Sequence, residues 1–153
     1  MSRSRSSRRR PRRDNPLAVY FIDSNIFFYA KIIDREYGDA CKRVLSRIVD
    51  GELKAAISAL ALIEVANSLM KYGLSSEVRN VVDAIFSLDI PIYETDPLDV
   101  RDAMEIFDEA KISLYDCAHA AIMRRAGITN IISADKDFDR ISWVRRSDPK
   151  IIE

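Results

Sequence analysis

The chain has 153 residues, 48% of them apolar, which is enough for one domain with its own hydrophobic core. No apolar run approaches the roughly 20 residues of a membrane span, and no signal-peptide core follows the basic start. We therefore expect a soluble, cytoplasmic protein. The two cysteines, Cys41 and Cys117, form no CxxC motif, so neither a disulfide framework nor a cysteine zinc site is expected.

The net charge of zero conceals two parts of opposite sign. Residues 1–13 contain seven arginines and no acid, whereas the rest of the chain carries 17 basic and 24 acidic residues, a net charge of −7. We predict a basic, disordered tail at residues 1–15 and one domain over residues 16–153. The tail either contacts a phosphate backbone or is a solvated segment without a specific partner.

Short apolar segments alternate with amphipathic segments along the domain. Ser58 and Asp96 can each cap the start of a helix, and Gly127 can end one. In chain order, the pattern predicts a strand at 17–22, helices at 25–31 and 37–50, a strand at 54–57, helices at 59–71 and 76–88, a strand at 90–93, helices at 97–110 and 114–126, and strands at 130–133 and 143–144. Strands that alternate with helices predict an α/β fold with a parallel central β-sheet flanked by helices in three layers.

Four acidic residues stand where such a sheet forms its active site, beyond the carboxyl ends of its strands. Asp23 follows the first predicted strand, and Asp135 follows the fourth. Asp116 lies in the first turn of the helix that leads into the fourth strand. Glu64 lies in the most apolar helix, where an unpaired buried carboxylate is costly. We predict that these four acids gather into one cluster.

Each acid also has a purely structural explanation that the sequence leaves open. Asp23 can cap a helix, Asp135 can be a turn residue, and Asp116 has the spacing of a capping box with Ser113. Glu64 can be partly exposed, because polar residues follow it three and four positions later on the same helix face.

Gathered carboxylates repel one another at neutral pH, which raises some of their pKa values, and a divalent cation removes that conflict. Oxygen ligands suit Mg²⁺ or Mn²⁺ rather than zinc. Such an ion can position a water molecule and offset the charge that builds up on a phosphodiester. We interpret His119, the only histidine, as a packed helix residue rather than a ligand.

Other catalytic arrangements fit the sequence less well. The four glycines are too scattered for a phosphate-binding loop. A serine triad would require His119, which lies on the same helix as Asp116 and only three residues away. The alternating acids of residues 135–139 are similar to a calcium loop, but Arg140 stands where that loop requires glycine.

Four segments, in order, resemble the acidic motifs of PIN-domain nucleases. They are FIDSNIFFYA around Asp23, SALALIEVANSL around Glu64, SLYDCAHAAIM around Asp116 and ISADKDFDRI around Asp135. The compact length is most similar to VapC-type toxins of toxin–antitoxin pairs. The resemblance implies a parallel sheet with helices on both faces, and an endoribonuclease whose four acids bind Mg²⁺ or Mn²⁺ and catalyse hydrolysis of RNA.

The resemblance also implies supporting residues and partners. Ser133 matches the family's small hydroxyl residue before the last motif, Asn25 matches a polar residue after the first acid, and Asp137 is an assisting acid. Family members often form homodimers, and a VapB-like antitoxin silences VapC-type toxins by laying its tail over the acidic groove. The implied partners are therefore RNA, a second copy and an antitoxin.

The arginine-rich tail departs from the pattern of the family. It leaves open a housekeeping RNA-processing nuclease and a non-catalytic RNA-binding module as alternatives to a toxin. An acidic body repels RNA unless basic groups offset its charge. We therefore predict Arg124, Arg125 and Arg140 as nucleic-acid contacts, although a solvated surface explains them equally well.

Overall fold

The computed structural model describes residues 18–152, so the predicted tail and the first residue of the first predicted strand lie outside it. In that range, no helix is long and apolar enough to cross a membrane. The elements in chain order are β1 (Val19–Ile22), α1 (Ser24–Ile32), α2 (Gly38–Val49), β2 (Lys54–Ser58), α3 (Ala59–Lys71), α4 (Val78–Phe86), β3 (Ile92–Tyr93), α5 (Pro97–Ala110), α6 (Leu114–Ala126), β4 (Asn130–Ile132) and β5 (Arg145–Ser147).

These five strands form one parallel sheet in the order β3-β2-β1-β4-β5. The central strand is β1, in which Phe21 pairs with Ala56 of β2 on one side and with Ile131 of β4 on the other. Parallel strands are covered on both faces, which explains why β1 and β4 are short apolar runs without alternating polar residues.

Helices cover both faces of the sheet and give the fold three layers. Phe21 belongs to a core with α5 and α6, whereas Ile22 belongs to a second core with α1, α2, α3 and α4. Successive side chains of a strand point to opposite faces, so β1, β2, β3 and β4 each contribute to both cores. The predicted α/β fold with a parallel sheet between two helical layers is confirmed.

The strand order creates a crevice between the carboxyl ends of β1 and β4. From β1 the chain first adds β2 and β3 on one side of the sheet, and it then returns to add β4 and β5 on the other. Ligands of open parallel sheets bind where the strand order reverses in this way. Asp23 and Ser133 directly follow β1 and β4, so the fold places the predicted motifs at this crevice.

The clearest differences between the predicted and the observed elements concern three of them. The predicted fifth strand at 143–144 is wrong, because Val144 is a buried core residue and the strand begins at Arg145. The third strand has only two residues, since Pro91 before it has no N–H to donate. The helix predicted at 76–88 starts as a 3₁₀ turn at Ser75–Glu77 and continues as α4.

Candidate active site

Asp23 occupies the carboxyl end of β1 and is only 4% exposed. Its backbone N–H donates to the Ile132 carbonyl at 3.1 Å, which extends the pairing of β1 with β4. Its carboxylate accepts hydrogen bonds from the Ser24 N–H at 2.8 Å, from Asn25 Nδ2 at 3.1 Å and from the Ser133 hydroxyl at 2.6 Å. Asp23 is therefore the cap of α1, as one reading of the sequence allowed, and also a member of the acidic cluster.

Ser133 and Asn25 hold the ends of the two central strands together. The Ser133 hydroxyl donates to Asp23 and accepts from Asn25 Nδ2 at 3.2 Å and from the Asp135 N–H at 2.9 Å. All the hydrogen-bonding capacity of this fully buried hydroxyl is thus used. The Ser133 carbonyl in turn accepts from Arg146 Nη1 at 3.0 Å. The structure brings both predicted supporting residues into contact with Asp23.

Asp116 projects from the first turn of α6, where its N–H donates to the Ser113 hydroxyl at 3.3 Å. It is 8% exposed, and one of its carboxylate oxygens lies within 4.8 Å of an oxygen of both Asp135 and Asp137. Burial, together with the charges of Asp23 and Asp135, raises the pKa of Asp116 to about 8. Ionisation of this carboxylate at the crevice therefore lowers the stability of the folded state.

Glu64 lies on α3 and contacts His119 of α6 through its Oε1 atom and the Nε2 atom of the imidazole. The Glu64 side chain is 21% exposed, so its burial is partial, whereas His119 is fully buried. The Ser58 Oγ lies 3.1 Å from the other ring nitrogen, Nδ1. The sequence interpretation of His119 as a packed residue is correct about its burial but missed this contact. The missed signal was its spacing from Asp116, which places both side chains on one face of α6.

The ligand atoms fall into two adjacent groups. One group contains Asp23, Glu64 and His119, and the other contains Asp116, Asp135 and Asp137. The two groups interact electrostatically, because the charges of Asp23 and Glu64 both raise the pKa of Asp116. Burial raises the pKa of Asp23 as well, against the lowering effects of His119 and Ser133. Clustered carboxylates that are costly to ionise together are the donor set that fits a divalent cation, so the cluster could bind one.

Two of the three predicted nucleic-acid contacts lie far from Asp116. Arg124 and Arg125 lie in the last turn of α6, about 12 Å along the helix axis from Asp116. Arg124 stacks over the Trp143 ring and lines a pocket of about 210 Å³ together with Arg140. Arg124 and Arg125 are therefore at the end of α6 opposite to Asp116, and a role of the three arginines in RNA binding stays a prediction.

Arg125 has a structural partner that the sequence did not indicate. Its Nε and Nη2 donate to the two carboxylate oxygens of Asp99, both at 2.8 Å, and Nη2 also donates to the Glu94 carbonyl at 2.8 Å. Asp99 is 1% exposed and accepts from the Asp96 N–H in the capping box that starts α5. The bidentate hydrogen bond from Arg125 lowers the pKa of Asp99.

Substitution of Arg125 by Ala is expected to lower the free energy of unfolding by about 2 kcal/mol at pH 7, because it leaves a buried carboxylate with one backbone partner. Urea denaturation of the wild type and the variant measures this loss. Arg101→Ala, at an exposed position on α5, is the control, and we expect a change of less than about 0.5 kcal/mol. Equal stability of both variants would mean that the Arg125–Asp99 pair does not support the fold.

The crevice, the two helical layers and the buried carboxylates define a class of α/β proteins with a potential divalent-metal site at a topological switch point. The chain belongs to the PIN domain family, whose profile matches residues 20–144. The family membership expected from the four sequence motifs is confirmed.

Relatives and solved structures agree with this assignment. Ribonuclease VapC13 of Mycobacterium tuberculosis is 26% identical over 131 residues, which cover 84% of this chain and 98% of the relative. The M. tuberculosis Sarcin-Ricin loop cleaving toxin VapC20 superposes with a TM-score of 0.69 and 19% identity, over 83% of this chain and 97% of that one. VapBC2 of Rickettsia felis, bound to a promoter DNA fragment, has a TM-score of 0.65 at 18% identity, over 84% and 97%.

Proposed function

We propose that the protein is a VapC-type toxin, an endoribonuclease that hydrolyses RNA phosphodiester bonds in the cytoplasm with Mg²⁺ or Mn²⁺. The observation that carries the proposal is the pair of buried carboxylates, Asp23 and Asp116, gathered at the switch point at a cost in folding free energy. Two relatives of this chain are described as VapC ribonucleases, which supports the reaction type.

The ion would be held by Asp23, Glu64, Asp116 and Asp135, whose oxygens suit Mg²⁺ and Mn²⁺. When bound, it would lower the pKa of a water molecule and offset the charge that develops on the phosphodiester. The protein contributes a rigid site, since Asp23 is fixed by three hydrogen bonds before any ligand arrives.

Outer groups keep the ligands in place. Ser133 connects the Asp23 carboxylate to the backbone of Asp135, so one hydroxyl sets the spacing of two acids that follow different strands. Asn25 Nδ2 contacts both Asp23 and Ser133 and fixes the hydroxyl orientation. Partners of this kind matter because metal affinity or activity typically falls 10–100-fold when they are removed. Asp137 is exposed and would assist at the entrance.

Two apolar grooves suit the protein partners of this proposal. One, of about 650 Å³ between α3 and α4, is lined by Ile63 and Phe86, whose side chains are about 60% exposed, and it fits a second copy of the chain. The other, of about 350 Å³ and lined by α1, α2 and α4, fits an apolar helix of an antitoxin. Light scattering measures the mass of the purified protein, alone and co-expressed with its neighbouring gene, and so detects a homodimer and an antitoxin complex. A protein that stays monomeric under both conditions would contradict the proposed protein partners.

The proposal is tested with a circular single-stranded RNA incubated with the purified protein and Mg²⁺, Mn²⁺ or EDTA. An endonuclease opens the circle to a linear molecule, which an exonuclease cannot do. We expect linear products with either metal and none with EDTA. A set of circles of mixed sequence guards against narrow substrate choice. Binding of the circles without any opening would favour the non-catalytic RNA-binding module.

A further inference from the structure

We propose that His119 is a nitrogen ligand of the metal site and that it makes the site prefer Mn²⁺ and related transition metals over Mg²⁺. The inference rests on the proposed function and specifies the ion that serves it. Four carboxylates alone suit a hard cation such as Mg²⁺, which keeps several of its waters. An imidazole nitrogen among them changes the chemistry of the donor set.

The first support is the position of the ring. His119 follows Asp116 by one turn of α6, is fully buried and packs against Phe21 with ring centroids 5.9 Å apart. One ligand atom each of His119, Asp23 and Glu64 lies within 4.8 Å of the others. Two carboxylate oxygens and one imidazole nitrogen therefore converge on one point inside the crevice.

The second support is the anchoring of the other ring nitrogen. Nδ1 lies 3.1 Å from Ser58 Oγ, which also accepts the Ala61 N–H at 3.0 Å as the cap of α3. Because α3 carries Glu64, a single serine positions both the histidine and the carboxylate. Histidines that bind metals usually have their second nitrogen held in this way, since it fixes the ring and its tautomer. With the proton on Nδ1 and Ser58 as its acceptor, the Nε2 lone pair is available to the ion.

The preference for metal follows from the ligand type. Imidazole binds Mn²⁺, and increasingly Fe²⁺, Co²⁺ and Ni²⁺, whereas Mg²⁺ favours carboxylate and water oxygens. Without metal, Nε2 contacts the Glu64 carboxylate. On binding Mn²⁺, Nε2 would release to solvent the proton that it donates to Glu64, and the freed nitrogen lone pair and the carboxylate would both become ligands of one ion. A role limited to holding Glu64 by a hydrogen bond is the competing explanation.

Pulsed electron paramagnetic resonance of Mn²⁺-loaded protein separates the two explanations. The chain contains one histidine, so in untagged protein an imidazole ¹⁴N coupling to Mn²⁺ has only one source. We expect that coupling in the wild type and its loss in His119→Gln, which retains a hydrogen-bond donor for Glu64. Calorimetry should show that the same substitution weakens Mn²⁺ binding about 10-fold or more, with Mg²⁺ binding within about threefold of the wild type.

Other outcomes of the experiment are also decisive. Bound Mn²⁺ without ¹⁴N coupling, in a protein that opens RNA circles, would overturn the role of His119 and leave the nuclease in place. Failure to bind either metal and to cleave RNA would overturn both. The wild-type spectrum alone shows whether an imidazole nitrogen coordinates Mn²⁺. The test therefore remains valid if His119→Gln does not fold.

Discussion

Replacement of Asp23 by Asn is expected to lower the rate of RNA cleavage by more than about 100-fold and to leave the fold intact. We expect at least this loss because removing even an outer partner of a metal ligand typically lowers metal affinity or activity by about 10–100-fold. Asn has the shape of Asp, but it lacks the negative charge. In either orientation its amide nitrogen replaces an oxygen that now accepts a hydrogen bond, from the Ser24 N–H or from Ser133 and Asn25. The substitution therefore removes a ligand and also disturbs the hydrogen bonds that hold this side chain.

This loss is measured as the initial rate of opening of circular RNA at saturating Mg²⁺ and Mn²⁺. Asp108→Asn, an exposed acid on α5, makes the same chemical change away from the crevice and should cleave at the wild-type rate. Thermal unfolding of both variants confirms that they are folded. Cleavage by Asp23→Asn within about threefold of the wild type would remove Asp23 from the site.

Replacement of Asp116 by Asn is expected to stabilise the metal-free protein at pH 8. The pKa of Asp116 is raised from 3.8 to about 8, so between these pH values the folded state holds a proton that the unfolded state has lost. The free energy of unfolding therefore falls as the pH rises across this window, at about 1.36 kcal/mol per unit. Burial raises the pKa of Asp23 in the same direction. Burial lowers the pKa of His119, but the hydrogen bond and charge of Glu64, together with the charges of Asp23 and Asp116, outweigh it and leave this pKa raised.

The temperature of half-unfolding in EDTA, measured from pH 5 to pH 8, tests this prediction. We expect the wild type to lose on the order of 10 °C over that range and Asp116→Asn to lose much less, because a neutral amide has no proton to release. Mg²⁺ or Mn²⁺ should restore most of the loss in the wild type at pH 8 and little in the variant. A wild-type midpoint that rises with pH would show that these carboxylates are not in conflict in the folded state.

Much of the fold could be predicted from local patterns in the sequence. The bounds of α3 and α5 match the prediction because each helix begins at a capping residue, Ser58 or Asp96, whose hydrogen bonds are made within four residues. The fifth strand was misplaced because Val144 is as apolar as a strand residue, yet it packs into the core while Arg145 pairs with Asn130. Pairing between strands depends on distant residues, which a local pattern does not contain.

In the candidate site, too, some features could be predicted from local patterns and others depend on contacts between distant residues. The positions of Asp23 and Asp135 followed from the rule that parallel sheets bind ligands at their carboxyl ends. The spacing of His119 from Asp116 indicated that the two side chains share a face of α6, but it did not indicate the contact of His119 with Glu64, which joins residues 55 positions apart. The ion pair of Arg125 with Asp99 was missed for the same reason, since it depends on how α5 packs against α6.

The most direct test of the central claim is the cleavage of a mixed RNA pool by the wild type and by Asp116→Asn, each at a series of Mg²⁺ and Mn²⁺ concentrations and in EDTA. The acidic cluster predicts that wild-type cleavage disappears in EDTA, returns when metal is added, and is absent from the variant at every concentration. Cleavage by the wild type in EDTA, or undiminished cleavage by folded Asp116→Asn, would contradict a carboxylate-held metal as the catalytic centre.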